Sequence, residues 1–168
     1  VRVWVYDPAQ PKVAGVNPQA LFDPVAVSAG FTGFFAHYVI DDIVYSSVDG
    51  ADTTMVFDPA QPVGGQNPRV LFDFQTYGAA DLGSSIVFTA TDAAHGNELI
   101  WYDPAMAVGA NNPTWLEMVA GAGSSDVQEV TALGGKVFFR AFLPATGSEL
   151  FSFDPAVAVS ATNPGVVY

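Results

Sequence analysis

The chain has 168 residues, half of them hydrophobic and 13% aromatic, which is enough apolar material for a packed core. Seventeen Asp and Glu against five Lys and Arg give a formal net charge of −12, and this balance argues against binding to nucleic acid or anionic lipid. Cysteine is absent, so disulfides and Cys-ligated metal sites are excluded. No apolar run approaches the roughly 18–20 residues of a membrane-spanning helix. We expect a single domain over residues 1–168, and the acidity with scarce lysine favours an extracellular, cell-surface or periplasmic location.

Short runs rich in β-branched and aromatic residues follow one another along the chain, which is typical of strands, and no helical periodicity interrupts them. In chain order the runs are VRVWVY (1–6), ALFD (20–23), FTGFFAHYV (31–39), DIVYSSV (42–48), TTMVF (53–57), VLFD (70–73), YGAADLG (77–83), SIVFTAT (85–91), ELIWY (98–102), TWLEM (114–118), VQEVTAL (127–133), KVFFRAF (136–142), ELFSF (149–153) and GVVY (165–168). Gly134-Gly135 between two of these runs predicts a tight hairpin.

Two short motifs recur four times and define an internal repeat. An aromatic-Asp-Pro-Ala motif is spaced by 51, 45 and 51 residues, and an Asn-Pro follows each Asp after 10, 9, 9 and 9 residues. Proline has no N–H for a sheet ladder and ends the strand, while the Asp carboxylate accepts nearby backbone N–H groups. The sequence therefore predicts structural turn roles for Asp7, Asp58, Asp103, Asp154, Asn17, Asn67, Asn112 and Asn163.

Each repeat contains about four predicted strands in 45–51 residues, a period typical of a β-propeller blade. The stretches GGKVFFRAF…GSELFSFDP and SSIVFTATDAAHGNELIWYDP resemble Kelch-type blades, and ATDAAHGNELIWYDPA (90–105) also resembles the ELWxxDGT repeats of bacterial exported proteins. Both resemblances imply an all-β, β-propeller-like array of four-stranded antiparallel blades, here about 3.5 repeats.

The order of the runs predicts that the chain begins on the second strand of a blade and stops after a third strand. Such an array leaves three alternatives for closing a ring. The chain is a segment of a longer propeller, or a small ring closed by strand exchange between its termini, or a subunit completed by another copy or protein.

Acidic turns are the best candidates for a metal site. Calcium needs six to eight oxygen ligands, which such turns and backbone carbonyls supply, and the candidates are Asp49, Asp52, Asp92 and Glu98. The alternative is that these acids bind local backbone N–H groups, and the fourth copy (LPATGS) has no acid at all. No cofactor other than calcium is expected, because two histidines are too few for a His-based zinc site.

Trp115 is the candidate ligand-binding aromatic, whereas Trp4 and Trp101 are interpreted as core residues of their strands. The chain carries no G-x-S-x-G motif and no P-loop, and we expect it not to be an enzyme. The leading hypothesis is a structural or interaction module that binds a protein partner or other copies of itself. The alternatives are a lectin-like propeller that binds carbohydrate, and part of a propeller enzyme whose site lies outside this segment.

Overall fold

The computed structural model describes residues 3–27 and 29–167, so Val1, Arg2 and Tyr168 of the predicted first and last strands lie outside the described residues. The chain divides into two compact units, Val1–Asp73 and Phe74–Tyr168. Across the described ranges, no helix is long and apolar enough to cross a membrane. The expectation of one domain over residues 1–168 stays a prediction.

The described residues of the first unit form two antiparallel sheets and one 3-10 turn at Pro24–Ala26. The smaller sheet pairs β1 with β2, and the larger has the order β3-β4-β5-β6. The strands are β1 (Val3–Val5), β2 (Gln19–Phe22), β3 (Gly33–Ile40), β4 (Ile43–Asp49), β5 (Thr53–Phe57) and β6 (Arg69–Phe72).

The second unit contains two four-stranded antiparallel sheets, in which each strand pairs with its neighbour in the chain. Their orders are β7-β8-β9-β10 and β11-β12-β13-β14. The strands are β7 (Gln75–Asp81), β8 (Ile86–Asp92), β9 (Gly96–Tyr102), β10 (Thr114–Leu116), β11 (Gln128–Leu133), β12 (Lys136–Leu143), β13 (Gly147–Phe153) and β14 (Gly165–Val166). The hairpin between β11 and β12 turns at Gly134 and Gly135, whose φ angles of 61° and 78° suit the primed turns that match strand twist.

The prediction of an all-β chain of antiparallel sheets is confirmed, and in the described residues three of the four sheets have four strands and one has two. The predicted strand assignment at the two ends is wrong. β1 precedes the first Asp-Pro and pairs with β2, so it is the counterpart of the third strands β5, β9 and β13. The last sheet has all four strands, because both β11 and β14 find partners. The sequence shows the order of the strands along the chain but not which of them pair. The prediction was wrong for that reason.

One packing rule applies within the second unit. In each sheet, the side that carries the residue before Asp-Pro (Phe57, Tyr102 or Phe153) is called the front face. The opposite side is called the back face. The front face of β11–β14, with Phe139 and Phe151, packs against the back face of β7–β10, with Val87 and Leu99. These side chains are at most 4% exposed. Each contributes on the order of 1.5–3 kcal/mol by leaving water.

Candidate functional site

The loop after the third strand of each repeat is held by one asparagine side chain. In the third copy, Asn112 Oδ1 accepts a hydrogen bond from Asp103 N at 2.9 Å, and Nδ2 donates to Asp103 O at 2.9 Å and Met106 O at 3.0 Å. Asp103 Oδ1 accepts in turn from Ala105 N at 2.8 Å. Asn112 is buried, so its amide replaces water as the partner of these backbone groups.

The same arrangement, which we call the asparagine clasp, occurs in all four copies. Asn17, Asn67 and Asn163 each accept from the backbone N of their Asp at 2.8–2.9 Å and donate to its carbonyl at 2.8 Å. All four Asn-Pro peptide bonds are cis. The clasped loops carry apolar side chains that are 45–65% exposed: Val13, Val16, Val63, Met106, Val108, Val157 and Val159. The repeated Asp and Asn residues are thus engaged with backbone, and the exposed chemistry of the loops is apolar.

The aspartate of the fourth clasp also meets a lysine. Lys136 Nζ lies 3.2 Å from Asp154 Oδ2, and both side chains are partly open to solvent. The backbone hydrogen bond from Ala156, followed by the bond from Lys136, lowers the pKa of Asp154. This carboxylate is a turn acid with a surface ion pair.

The four predicted calcium ligands belong to two turns in two units. Asp49 and Asp52 flank the turn between β4 and β5, and Asp49 Oδ2 accepts from Thr32 Oγ1 at 3.1 Å. Asp92 ends β8 and accepts from the backbone N of Ala94 at 2.9 Å. Within residues 3–27 and 29–167, no group of three His, Cys, Asp or Glu side chains is placed to hold a metal ion. Calcium binding by these acids stays a prediction.

Glu98 is a buried structural acid with 0% exposure. Its two carboxylate oxygens accept from the backbone N of Met118, Val119 and Ser125, each at 3.1 Å, and from Ser125 Oγ at 2.5 Å. Burial raises the pKa of Glu98, and the hydrogen bonds from Ser125, Met118 and Val119 oppose the rise without cancelling it. Four bonds occupy the lone pairs of both oxygens, so this residue ties the start of β9 to the 118–125 segment.

Trp115 is part of a cluster with His95. The two rings stack with centroids 4.3 Å apart and planes 10° apart. His95 Nδ1 lies 2.8 Å from Asp92 Oδ2, and Nε2 lies 3.6 Å from Glu117 Oε1. Burial is the largest single influence and raises the pKa of Asp92, but the hydrogen bonds from His95 and Ala94 together outweigh it and lower the pKa. One face of the Trp115 ring is therefore covered by His95, which leaves it half-buried.

A cavity of about 260 Å³ lies in the first unit between β1–β2 and the front face of β3–β6. Its walls are mostly apolar and include Trp4, Phe22 and Phe57. Its polar side chains are His37 and Ser46, whose Nδ1 and Oγ atoms are 2.8 Å apart and hydrogen-bond to each other. Partial burial lowers the pKa of His37, so its imidazole is neutral at neutral pH.

The cavity exists because the sheet β3–β6 differs from the two sheets of the second unit at one pair of facing residues. Ser46 pairs with Met55, three residues before Asp-Pro, and the residues in the corresponding pairs of the second unit are Phe88 and Phe139. Both phenylalanines are at most 1% exposed. A serine in their place leaves room above the sheet.

Trp4 lines this cavity and is 56% exposed, so its interpretation as a core residue is wrong. Its strand is an edge strand in the described part of the chain, and no second neighbour covers the indole. Trp101, on a central strand, is half-buried and packs on the core of the second unit.

The back face of β11–β14 is the other exposed apolar surface. Phe142 is 42% exposed, Leu150 45% and Leu133 69%, and the half-buried Phe138 and Arg140 lie between them. Arg140 and Leu150 are paired across β12 and β13, and the Arg140 guanidinium donates to Gln128 Oε1. The signal for this surface in the sequence is that the run KVFFRAF (136–142) has apolar residues at both odd and even positions. Both faces of the strand are therefore apolar.

The sequence does not predict the cavity, because the cavity depends on one small side chain, Ser46, at a position where the other two sheets carry phenylalanine. Aligning Ser46 with Phe88 and Phe139 is the signal that would have located it. The resemblance to Kelch-type or ELWxxDGT repeats stays a prediction. No family model matches the chain, and no curated protein matches it.

Proposed function

We propose that the chain is a non-enzymatic, propeller-like repeat module that binds protein, either a partner or copies of itself, through the back face of β11–β14. The repeated four-stranded sheets, each with its strands in chain order, are the units from which such an array is built. An extracellular location and a scaffold role belong to the same proposal.

The observation that carries this proposal is a difference between equivalent residues. Val87 and Leu99 on the back face of β7–β10 are 0% exposed, because the next sheet of the unit covers them. The residues at the same positions of the last sheet are Phe138 and Leu150, and Leu150 is 45% exposed. A face with the chemistry of a sheet-to-sheet contact is thus left uncovered by the described residues.

The composition of this face also resembles an interface more than an ordinary surface. Aromatic residues and arginine are enriched at protein interfaces, and lysine and acids are depleted at their centres. The centre of this face holds two phenylalanines, Arg140 and Leu150, and β12 contributes no acid to it. Lys136 lies at the end of the face, where β12 begins, and forms an ion pair with Asp154. Burying Leu150 and Phe142 in a contact would add on the order of 1.5–3 kcal/mol each.

The carbohydrate alternative finds less support. A lectin with one site per repeat needs an exposed aromatic at a repeated position. The positions equivalent to Trp115 hold Ala20, Val70 and Val166, and the Trp115 ring is stacked on His95.

The test is self-association measured by sedimentation or light scattering over a range of protein concentrations. The net charge of −12 opposes association, so we expect oligomers to become more populated as salt screens that charge. Leu150→Lys should return the protein to monomer at the same salt. Val157→Lys is the matched control, because Val157 is 53% exposed on a clasped loop of the same unit. If the protein is a monomer under all conditions, the hypothesis of self-assembly is wrong. If Leu150→Lys and Val157→Lys have equal effects, the back face of β11–β14 is not the contact surface.

A further inference from the structure

The peptide bond after each clasped aspartate joins that aspartate to proline. In the third copy this is the bond between Asp103 and Pro104. The Asp103 carbonyl oxygen accepts two hydrogen bonds, one from Asn112 Nδ2 at 2.9 Å and one from Met106 N at 3.1 Å. A side-chain amide and a backbone N–H that both donate to one carbonyl oxygen are the donor types of an oxyanion hole.

The other three clasps repeat these two donors. The Nδ2 atoms of their asparagines lie 2.8 Å from the carbonyl oxygens of Asp7, Asp58 and Asp154. The backbone N of the third residue after each aspartate donates to the same oxygen at 3.0–3.2 Å. The double donation is therefore a property of the repeat.

A nucleophile is attached to the same residue. Asp103 Oδ1 accepts a hydrogen bond from Ala105 N at 2.8 Å, while Oδ2 has no hydrogen-bond partner in residues 3–27 and 29–167. Oδ2 is joined to its own carbonyl carbon through Cγ, Cβ and Cα, so its attack on that carbon closes a five-membered ring. Carboxylates act as nucleophiles in covalent catalysis, and an intramolecular one avoids the entropy cost of bringing two molecules together.

The fourth clasp differs from the others at this oxygen. Lys136 Nζ lies 3.2 Å from Asp154 Oδ2 and occupies the atom that would attack. Among the salt bridges of the described ranges, this is the one that involves a clasped aspartate. The second carboxylate oxygen is therefore open in the first three clasps.

We propose that the Asp-Pro bonds of the first three clasps are sites of self-cleavage, in which the aspartate carboxylate displaces proline while the asparagine stabilises the oxyanion. The carboxylate oxygen bonds to the carbonyl carbon, and the electron pair of the C=O bond moves to its oxygen, which the two donors hold. When that pair returns, the C–N bond breaks and the proline nitrogen leaves as an amine with a proton from hydronium. Water then opens the cyclic anhydride. The net change converts one peptide bond and one water into a carboxylic acid and an amine.

Proline suits the leaving role in this reaction. Its peptide nitrogen carries a second alkyl substituent and no hydrogen. Such a nitrogen is more basic than that of an ordinary peptide bond, so it takes the proton more readily as the bond breaks. Because a proton is consumed at this step, cleavage should accelerate as the pH falls from neutral.

The bond between Asp23 and Pro24 is an internal comparison, because it lies in a similar turn without a clasp. Asp23 Oδ1 accepts from Val25 N at 3.1 Å, and Asp23 O accepts from Ala26 N at 3.1 Å. No asparagine amide in the described part of the chain donates to this carbonyl oxygen. The clasped bonds thus have one donor more than this bond.

This inference goes beyond the protein-binding face proposed above, because it concerns a covalent reaction of the chain on itself. Leu150→Lys, which tests the back face of β11–β14, leaves the first three clasps unaltered. One proposal can therefore fail while the other holds.

The experiment incubates the whole chain at about pH 5, above its pI of about 4.1, and follows the fragments by mass spectrometry. We expect the bonds after Asp7, Asp58 and Asp103 to break at least about tenfold faster than the bond after Asp23, since one oxyanion donor contributes roughly 10²–10³ in rate. Circular dichroism under the same conditions checks that the chain stays folded. In concentrated guanidinium chloride the clasps are lost, and the difference in rate should disappear.

Two substitutions at the third clasp separate the nucleophile from the donor. Asp103→Asn keeps an oxygen for Ala105 N but removes the carboxylate, so it should abolish cleavage at this bond. Asn112→Ala removes the donor and should slow the same bond at least about tenfold. The other clasped bonds of each variant are the controls. Should Asn112→Ala fail to fold, the comparison with the bond after Asp23 in the unaltered chain tests the same point.

Four results would each overturn the proposal. They are no fragments from the folded chain after weeks of incubation, equal rates for clasped bonds and the bond after Asp23, an unchanged rate in Asp103→Asn, or an unchanged rate in folded Asn112→Ala. Faster cleavage of the clasped bonds in guanidinium chloride than in the folded chain would show that the clasp protects them, which also contradicts the proposal.

Discussion

Replacing Asn112 by alanine tests the asparagine clasp directly. The substitution removes three hydrogen bonds of 3.0 Å or less, one to Asp103 N and one each to the carbonyls of Asp103 and Met106. A typical hydrogen bond contributes about 1 kcal/mol net, and a buried group left without a partner costs about 1–3 kcal/mol. Because one side of the loop is open to water, we expect a loss of roughly 2–4 kcal/mol in the free energy of unfolding.

The assay is urea denaturation followed by tryptophan fluorescence and circular dichroism, with the slope of the transition compared between variants. Asn111→Ala is the matched control, since this neighbouring asparagine has an exposed side chain. It should lie within about 0.5 kcal/mol of wild type, as expected for a surface substitution. A deficit of the same small size for Asn112→Ala would refute the clasp as a stabilising element.

A second substitution at the same position separates donor from acceptor. Asn112→Asp keeps an oxygen for Asp103 N but turns a carboxylate toward the carbonyl oxygens of Asp103 and Met106. We expect a larger loss at neutral pH than for Asn112→Ala. Protonation of the new acid restores a donor, so the loss should shrink as the pH is lowered. A deficit that does not change with pH would contradict the donor role of Nδ2.

Three further predictions concern Glu98, the His37–Ser46 pair and Lys136. Glu98→Gln should cost roughly 2–4 kcal/mol of unfolding free energy, since an amide N–H₂ would face backbone donors. Because burial raises the pKa of Glu98 in the folded state, the advantage of wild type should be largest at acidic pH and narrow as the pH rises through that raised pKa, as a pH series of urea melts would show. His37→Ala combined with Ser46→Phe imports the Ala79–Phe88 pair of the third repeat and should raise the melting temperature by filling the cavity; a lower melting temperature would count against the packing argument. Lys136→Met should leave equilibrium stability nearly unchanged, because the pair with Asp154 is exposed, and a loss as large as that of Asn112→Ala would contradict this.

The strands could be predicted because their signals are local. The run DIVYSSV at 42–48 corresponds to β4 at Ile43–Asp49, and KVFFRAF at 136–142 corresponds to β12 at Lys136–Leu143. The run YGAADLG at 77–83 begins two residues late relative to β7 at Gln75–Asp81, because Gly78 and the small residues after it carry little strand preference. Pairing, by contrast, is decided by neighbours distant in sequence, and the counterpart of β1 was assigned wrongly for that reason.

The candidate sites were harder to predict because burial decides what a polar residue does. Glu98 and Asp49 look alike in sequence as turn acids, yet Glu98 is fully enclosed by the 118–125 segment while Asp49 is exposed. The exposure of Trp4 depends on how many strands flank β1, which no local pattern contains. The cavity depends on the volume difference between Ser46 and Phe88, a comparison between repeats rather than a motif.

The clasp has a consequence for how these loops can change. Its asparagine bonds only to main-chain atoms, at the Asp and at the third and fourth residues after it, and not to any side chain of the loop. The four loops differ in sequence, and the first is one residue longer, but the bonds are the same in each. Side chains between the two motifs are therefore free to vary independently in each repeat. Each of the four loops can therefore change its side chains separately while its hydrogen-bonding frame stays the same.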